Sequence, residues 1–172
     1  HRDTRGGFTL VELLVVIAII SVLATMLLLQ LGVARAKARD VKRIADVNQV
    51  RSAMELYFDD NGNYMATNIM TSLKPTYLIN VPKDPLAPGC TDTYGGTGTG
   101  PAYCYGYSWS ATTTNPAKMQ VWAKLEQYNK NALTNDTDIN SLAWVNGAII
   151  DGALEPTPCT VAKDCIYDSG QP

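Results

Sequence analysis

From Phe8 to Leu31 the chain runs FTLVELLVVIAIISVLATMLLLQL, 24 residues with one charge, Glu12, and sixteen Phe, Leu, Ile or Val. At about 1.5 Å per residue this segment spans roughly 36 Å, more than the roughly 30 Å of a bilayer's hydrocarbon core. It is predicted to insert as a transmembrane helix, because its apolar residues outweigh one carboxylate, which costs at most about 3 kcal/mol. Beyond Gln30 the pattern becomes amphipathic. Val41, Ile44, Val47, Val50, Met54 and Tyr57 recur at steps of three or four, an apolar stripe for packing. Arg39, Asp40, Lys42, Arg43, Asp46 and Arg51 stand off that stripe and read as a solvated face. No proline interrupts the run, and Gln30 and Gly32 are its weakest points. Asp59-Asp60-Asn61-Gly62 ends it, with Gly62 suited to a left-handed cap. The pattern predicts one helix from Phe8 to about Asp60, roughly 80 Å long.

After Gly62 the period changes. Residues 75–101 are rich in Pro, Gly and Thr and read as loop. Tyr103, Tyr105, Tyr107 and Trp109 alternate with small or polar residues, as do Met119, Val121, Ala123 and Leu125, which predicts two strands. Trp144-Val145 and Ala148-Ile149-Ile150 flank Asn146-Gly147, a hairpin signal. The predicted fold class is α+β: a long N-terminal helix packed on a small antiparallel sheet of three or four strands.

Glu12 is the position that a plain membrane anchor does not explain, since a carboxylate in such a segment marks a site with a partner. A secretory signal peptide fits poorly, because the apolar stretch is too long and no A-x-A pattern follows it. Cutting between Gly7 and Phe8 would create an α-ammonium at the head of the helix, four residues before Glu12. That cation is a natural partner for the carboxylate, in the same helix or from a neighbouring one.

The run Gly7-Phe8-Thr9-Leu10-Val11-Glu12, followed by an apolar helix, resembles the processing motif of type IV prepilins and the related pseudopilins. The resemblance covers residues 6–62 strongly and the remainder in outline. It implies cleavage after Gly7 by a prepilin peptidase, N-methylation of Phe8, and a role for Glu12 in docking the subunit into a filament. The expected organisation is a leader remnant at 1–7, a transmembrane and filament-core helix at 8–31, its amphipathic continuation at 32–61 and a globular head at 62–172. The expected partners are the chain itself in a helical homopolymer, the prepilin peptidase with the pilus assembly machinery, and membrane lipid before assembly. The reading is the major pilin of a type IV pilus on the cell surface; a type II secretion pseudopilin and a DNA-binding or adhesive minor pilin are the alternatives. Five basic residues between Arg35 and Arg43, against Arg2 and Arg5 ahead of the span, would favour the opposite orientation by the positive-inside rule. The cleavage motif outweighs that count.

Charge and cysteine usage sharpen this picture. Residues 62–172 carry six lysines against nine acids and no arginine, which disfavours nucleic-acid binding. The only histidine is His1, so histidine-dependent nucleophilic catalysis is unavailable in the head, and neither an enzymatic activity nor a cofactor is expected. Cys90, Cys104, Cys159 and Cys165 all lie in the head and read as disulfides of an oxidising compartment. Loop closure favours the local pairs Cys90–Cys104 and Cys159–Cys165. Asp136, Asp138 and Asn140 begin like a calcium loop, but Ser141 and Gly147 break the EF-hand pattern. No metal is therefore expected, with Asp136 and Asp138 the weak candidate ligands. Asn135-Asp136-Thr137 is also a glycosylation-type sequon.

Overall fold

The computed structural model describes residues 7–87, 89–95, 104–110, 115–127, 129–133, 137, 139, 141, 144–145 and 166–171. Helix α1 runs Leu10–Asn61, 52 residues without a break at Gln30 or Gly32. Strong helix formers and the lack of proline carry it that far. At its end Gly62 adopts φ 72°, and its N–H donates to the Phe58 carbonyl at 2.7 Å. This is the left-handed cap expected there, which no residue with a Cβ adopts as readily.

The chain forms two compact units, residues 1–36 and 37–172. In the first, α1 contains a segment long and apolar enough to cross a membrane, and side chains along it, among them Leu13, Ile17, Ile20, Leu23 and Leu27, are exposed.

In the second unit, Val47, Val50, Ala53 and Met54 of α1 are buried against a three-stranded antiparallel sheet. At about 1.5–3 kcal/mol for each large side chain, this face is a principal source of the unit's stability. The stripe is shorter than the periodicity suggests. Val41 is 64% exposed, and Ile44 packs on a separate small cluster with Leu125 and Leu133. The sheet has the order β1 (Gly106–Trp109), β2 (Met119–Lys124), β3 (Ile166–Gln171). Tyr107 faces Val121 across the first pair, and Val121 faces Ser169 across the second. Tyr105, Tyr107 and Trp109 enter the core with Met119, Val121 and Ala123.

The alternation in β1 does not separate a wet face from a dry one, because all four of its residues are buried. On the face away from α1, Gln120 donates to Asp168 at 2.7 Å and to the Ile139 carbonyl at 2.9 Å, so that face is covered and polar. Trp122 lies over Gly106, where an added Cβ would stand 1.9 Å from its ring. The third strand comes from the C-terminus. Val145 only bridges Trp109, and the turn Asn146-Gly147 with Ala148-Ile149-Ile150 lies outside the described residues.

Candidate functional site

The segment ahead of α1 is built by local hydrogen bonding. Gly7, Phe8 and Thr9 precede the first helical turn, and Phe8 is 84% exposed. Thr9 is the N-cap. Its hydroxyl oxygen accepts from the Glu12 N–H at 3.3 Å, while the Glu12 carboxylate accepts from the Thr9 N–H at 2.9 Å and the Thr9 hydroxyl at 2.8 Å. This is a reciprocal capping box, which satisfies helix N–H groups that would otherwise lack partners. The result is an exposed Gly7–Phe8 peptide joined directly to a capped helix start. In this chain Phe8 carries a peptide nitrogen, and Glu12 is held by Thr9. Sequence reasoning missed Thr9, although Thr-x-x-Glu before an apolar run is itself a helix-start signal.

A second cluster lies in the unit of residues 37–172, and it corrects the expectation of a solvated face. Arg43 is fully buried, Asp40 is 4% exposed and Asp46 is 8% exposed. The Arg43 guanidinium donates through Nε and Nη2 to Asp84, and through Nη1 to Asp40 at 2.7 Å and to Glu126 at 2.6 Å. Arg39 donates to both oxygens of Glu126, at 2.7 and 2.5 Å. Asp40 also accepts the backbone N–H groups of Glu126 and Gln127, both at 2.9 Å. Arg43 thus ties α1 to the segment around Asp84 and to the end of β2. Burial opposes its charge, but the bonds to Asp84, Glu126 and Asp40 hold its pKa above the ordinary arginine value. The Arg39 bond, supported by Arg43, keeps the Glu126 carboxyl below its usual range. Burial pushes the Asp46 carboxyl up, against the 2.7 Å bond it accepts from the Tyr105 hydroxyl.

Cys90 and Cys104 form a disulfide with Cα atoms 5.7 Å apart. Cys159, Cys165, Asp136 and Asp138 lie outside the described residues.

Comparison with known proteins agrees with the N-terminal geometry. Residues 2–28 match the model of the prokaryotic N-terminal methylation motif. Type II secretion system core protein G of Vibrio cholerae is 30% identical over 130 residues, covering 56% of this chain and 88% of that protein. The chain belongs to the type IV pilin and pseudopilin family. Within that family it is 44% identical over 73 residues to the type IV wide pilus major component of Thermus thermophilus, covering 41% of the chain and 56% of that protein. It is 39% identical over 66 residues to type II secretion system core protein G of Escherichia coli, covering 38% of the chain and 46% of that protein. The chain therefore spans about half the length of these two relatives. No solved structure matches it.

Proposed function

We propose that this pilin-family chain is the major subunit of a type IV pilus, cleaved after Gly7, methylated on the Phe8 amine and assembled through Glu12. The observation that carries this reading is the exposed Gly7–Phe8 peptide set directly ahead of a capped, exposed apolar helix. The precursor sits in the membrane through that helix, then moves to a surface filament of copies of itself. It performs no catalysis and is a substrate of the prepilin peptidase. The similarity to the wide pilus component and the Cys90–Cys104 disulfide support the pilus. A second reading, a type II secretion pseudopilin, is favoured by the 88% coverage of the Vibrio cholerae relative.

Shearing filaments from cells and taking the subunit's intact mass tests both readings. A chain beginning at a methylated Phe8 in surface filaments supports the pilus; intact residues 1–7 in filaments refute the processing site. Filaments confined to the periplasm favour the second reading. Glu12→Ala should leave the membrane pool intact and sharply lower filament yield, because a partner ammonium would be left buried and unpaired, at a cost of roughly 3–5 kcal/mol. Normal yield from Glu12→Ala would show that the carboxylate does not dock the subunit.

A further inference from the structure

Between Glu12 and Arg35 the sequence carries no charge; then Arg35, Lys37, Arg39, Lys42 and Arg43 follow within a few residues, with Asp40 among them. The fold sorts these charges. Arg43 is buried against its three carboxylates, and Arg39 is paired with Glu126. Arg35, Lys37 and Lys42 are exposed, and none of them enters an ion pair among the described residues. The acids of the same stretch are hidden. Asp40 and Asp46, the only carboxylates between Glu12 and Glu55, are 4% and 8% exposed. Asp40 is bonded to Arg43 and to two backbone N–H groups, and Asp46 accepts from the Tyr105 hydroxyl. Every charge that α1 exposes between Glu12 and Glu55 is therefore positive.

The apolar run ahead of these cations sets where they meet a bilayer. Residues 13–34 are uncharged, about 33 Å of helix against roughly 30 Å of hydrocarbon. With that run across a membrane, Arg35 emerges into the headgroup layer, which adds roughly 5–7 Å on each side. Lys37 follows two residues later and Lys42 five after that, and long basic side chains carry their charges back to the phosphate level. A zwitterionic headgroup supplies its own cation to each phosphate. An anionic headgroup leaves a net charge, which juxtamembrane lysine and arginine neutralise. In the orientation of the proposed function these cations lie on the translocated side, where the positive-inside rule disfavours them. Bound anionic lipid offsets their charge there.

We infer that Arg35, Lys37 and Lys42 bind the headgroups of anionic phospholipids where α1 leaves the membrane. The inference rests on the membrane stage of the proposed function. It adds a lipid preference that the apolar helix alone does not supply, since hydrocarbon is the same beneath either headgroup.

The test uses the full chain reconstituted in vesicles of equal parts phosphatidylcholine and phosphatidylglycerol. After mild detergent extraction, intact-complex mass spectrometry counts the lipids that each chain retains. Phosphatidylglycerol should be retained in preference to phosphatidylcholine, less strongly when extraction is at high salt. Each of Arg35→Gln, Lys37→Gln and Lys42→Gln should lower that preference, by about fivefold for a cation close to the surface. The triple variant should abolish it while melting like the unaltered chain, because all three side chains are exposed. Equal retention of the two lipids, or a preference that survives in the triple variant, overturns the inference. Inorganic phosphate at matched ionic strength should not displace the lipid; displacement would mark a site for soluble anions and also overturn it. A chain that fails to insert into phosphatidylcholine vesicles removes the membrane stage itself, whereas one that inserts without lipid preference refutes this inference alone.

Discussion

Replacing Arg43 with methionine is the sharpest test of how the head is held together. Among the described residues the guanidinium makes at least four charge-assisted hydrogen bonds to three carboxylates, from a side chain with no solvent exposure. At about 1.5–3 kcal/mol each, these bonds would sum to roughly 6–12 kcal/mol. Desolvating the guanidinium and its partners offsets much of that. What the substitution adds is different: Asp40 and Asp84 stay buried and lose their cation. Breaking one side of such a cluster costs about 3–5 kcal/mol. For a unit of this size the loss should lower Tm by roughly 10–15 °C. The measurement is thermal unfolding of the full chain in detergent, followed by tryptophan fluorescence. Arg43→Met combined with Asp84→Asn should cost less than the sum of the two single changes, because the second removes a charge that the first leaves unpaired. Arg43→Lys should fall between wild type and methionine, since an ammonium keeps the charge but cannot bridge Asp84 with two donors. A loss below about 1 kcal/mol for Arg43→Met, or strict additivity in the double variant, would refute this account.

Gly106→Ala should destabilise the head by about 1–3 kcal/mol, since its Cβ would stand 1.9 Å from the Trp122 ring. Combining it with Trp122→Leu should recover part of that loss in the same melt, and equal stability of Gly106→Ala and wild type would refute the contact. Cys104→Ser, which opens the ring closed by Cys90–Cys104, should cost about 3 kcal/mol, read as a Tm drop that reductant reproduces in the unaltered chain. Glu126 has a depressed pKa, so its contribution is fully present above the unfolded carboxylate's pKa and is lost as pH falls through the folded value. The Tm of the unaltered head should therefore fall below about pH 4, and Glu126→Gln should flatten that limb. The raised Asp46 pKa acts in the opposite sense, so Asp46→Asn should steepen the limb.

Local chemistry was legible in the sequence, and non-local chemistry was not. The end of α1 at Gly62 could be read because a left-handed cap needs only the glycine and the residues just before it. β1 and β2 could be read from aromatic and aliphatic alternation within a few residues. β3 could not. Tyr167-Asp168-Ser169-Gly170 has no apolar alternation, and among the donors to the buried Asp168 are Gln120 and the Ile139 N–H, both distant in sequence. The Arg43 cluster failed for the same reason. Its partners Asp84 and Glu126 lie 41 and 83 residues away, so the helix pattern alone returned a solvated face. At the N-terminus the motif was legible as a whole, while the bonds from Thr9 to Glu12 depend on the backbone geometry of the first turn, which the processing motif does not encode.

The two carboxylate sites differ in a way that fits different tasks. Asp40, Asp84 and Glu126 are satisfied by fixed cations and backbone donors within one folded unit, so releasing any one of them leaves buried groups unpaired. Glu12 is held by neutral donors three residues away, on an exposed stretch of helix. A capping interaction of this kind contributes only about 1 kcal/mol. It keeps the helix start ordered and the carboxylate satisfied in the single chain, yet is weak enough to be exchanged for an ammonium, which as a charged donor forms the stronger hydrogen bond. The Arg43 cluster therefore suits a permanent joint, and the Thr9–Glu12 box suits the exchangeable contact that the docking role proposed for Glu12 requires.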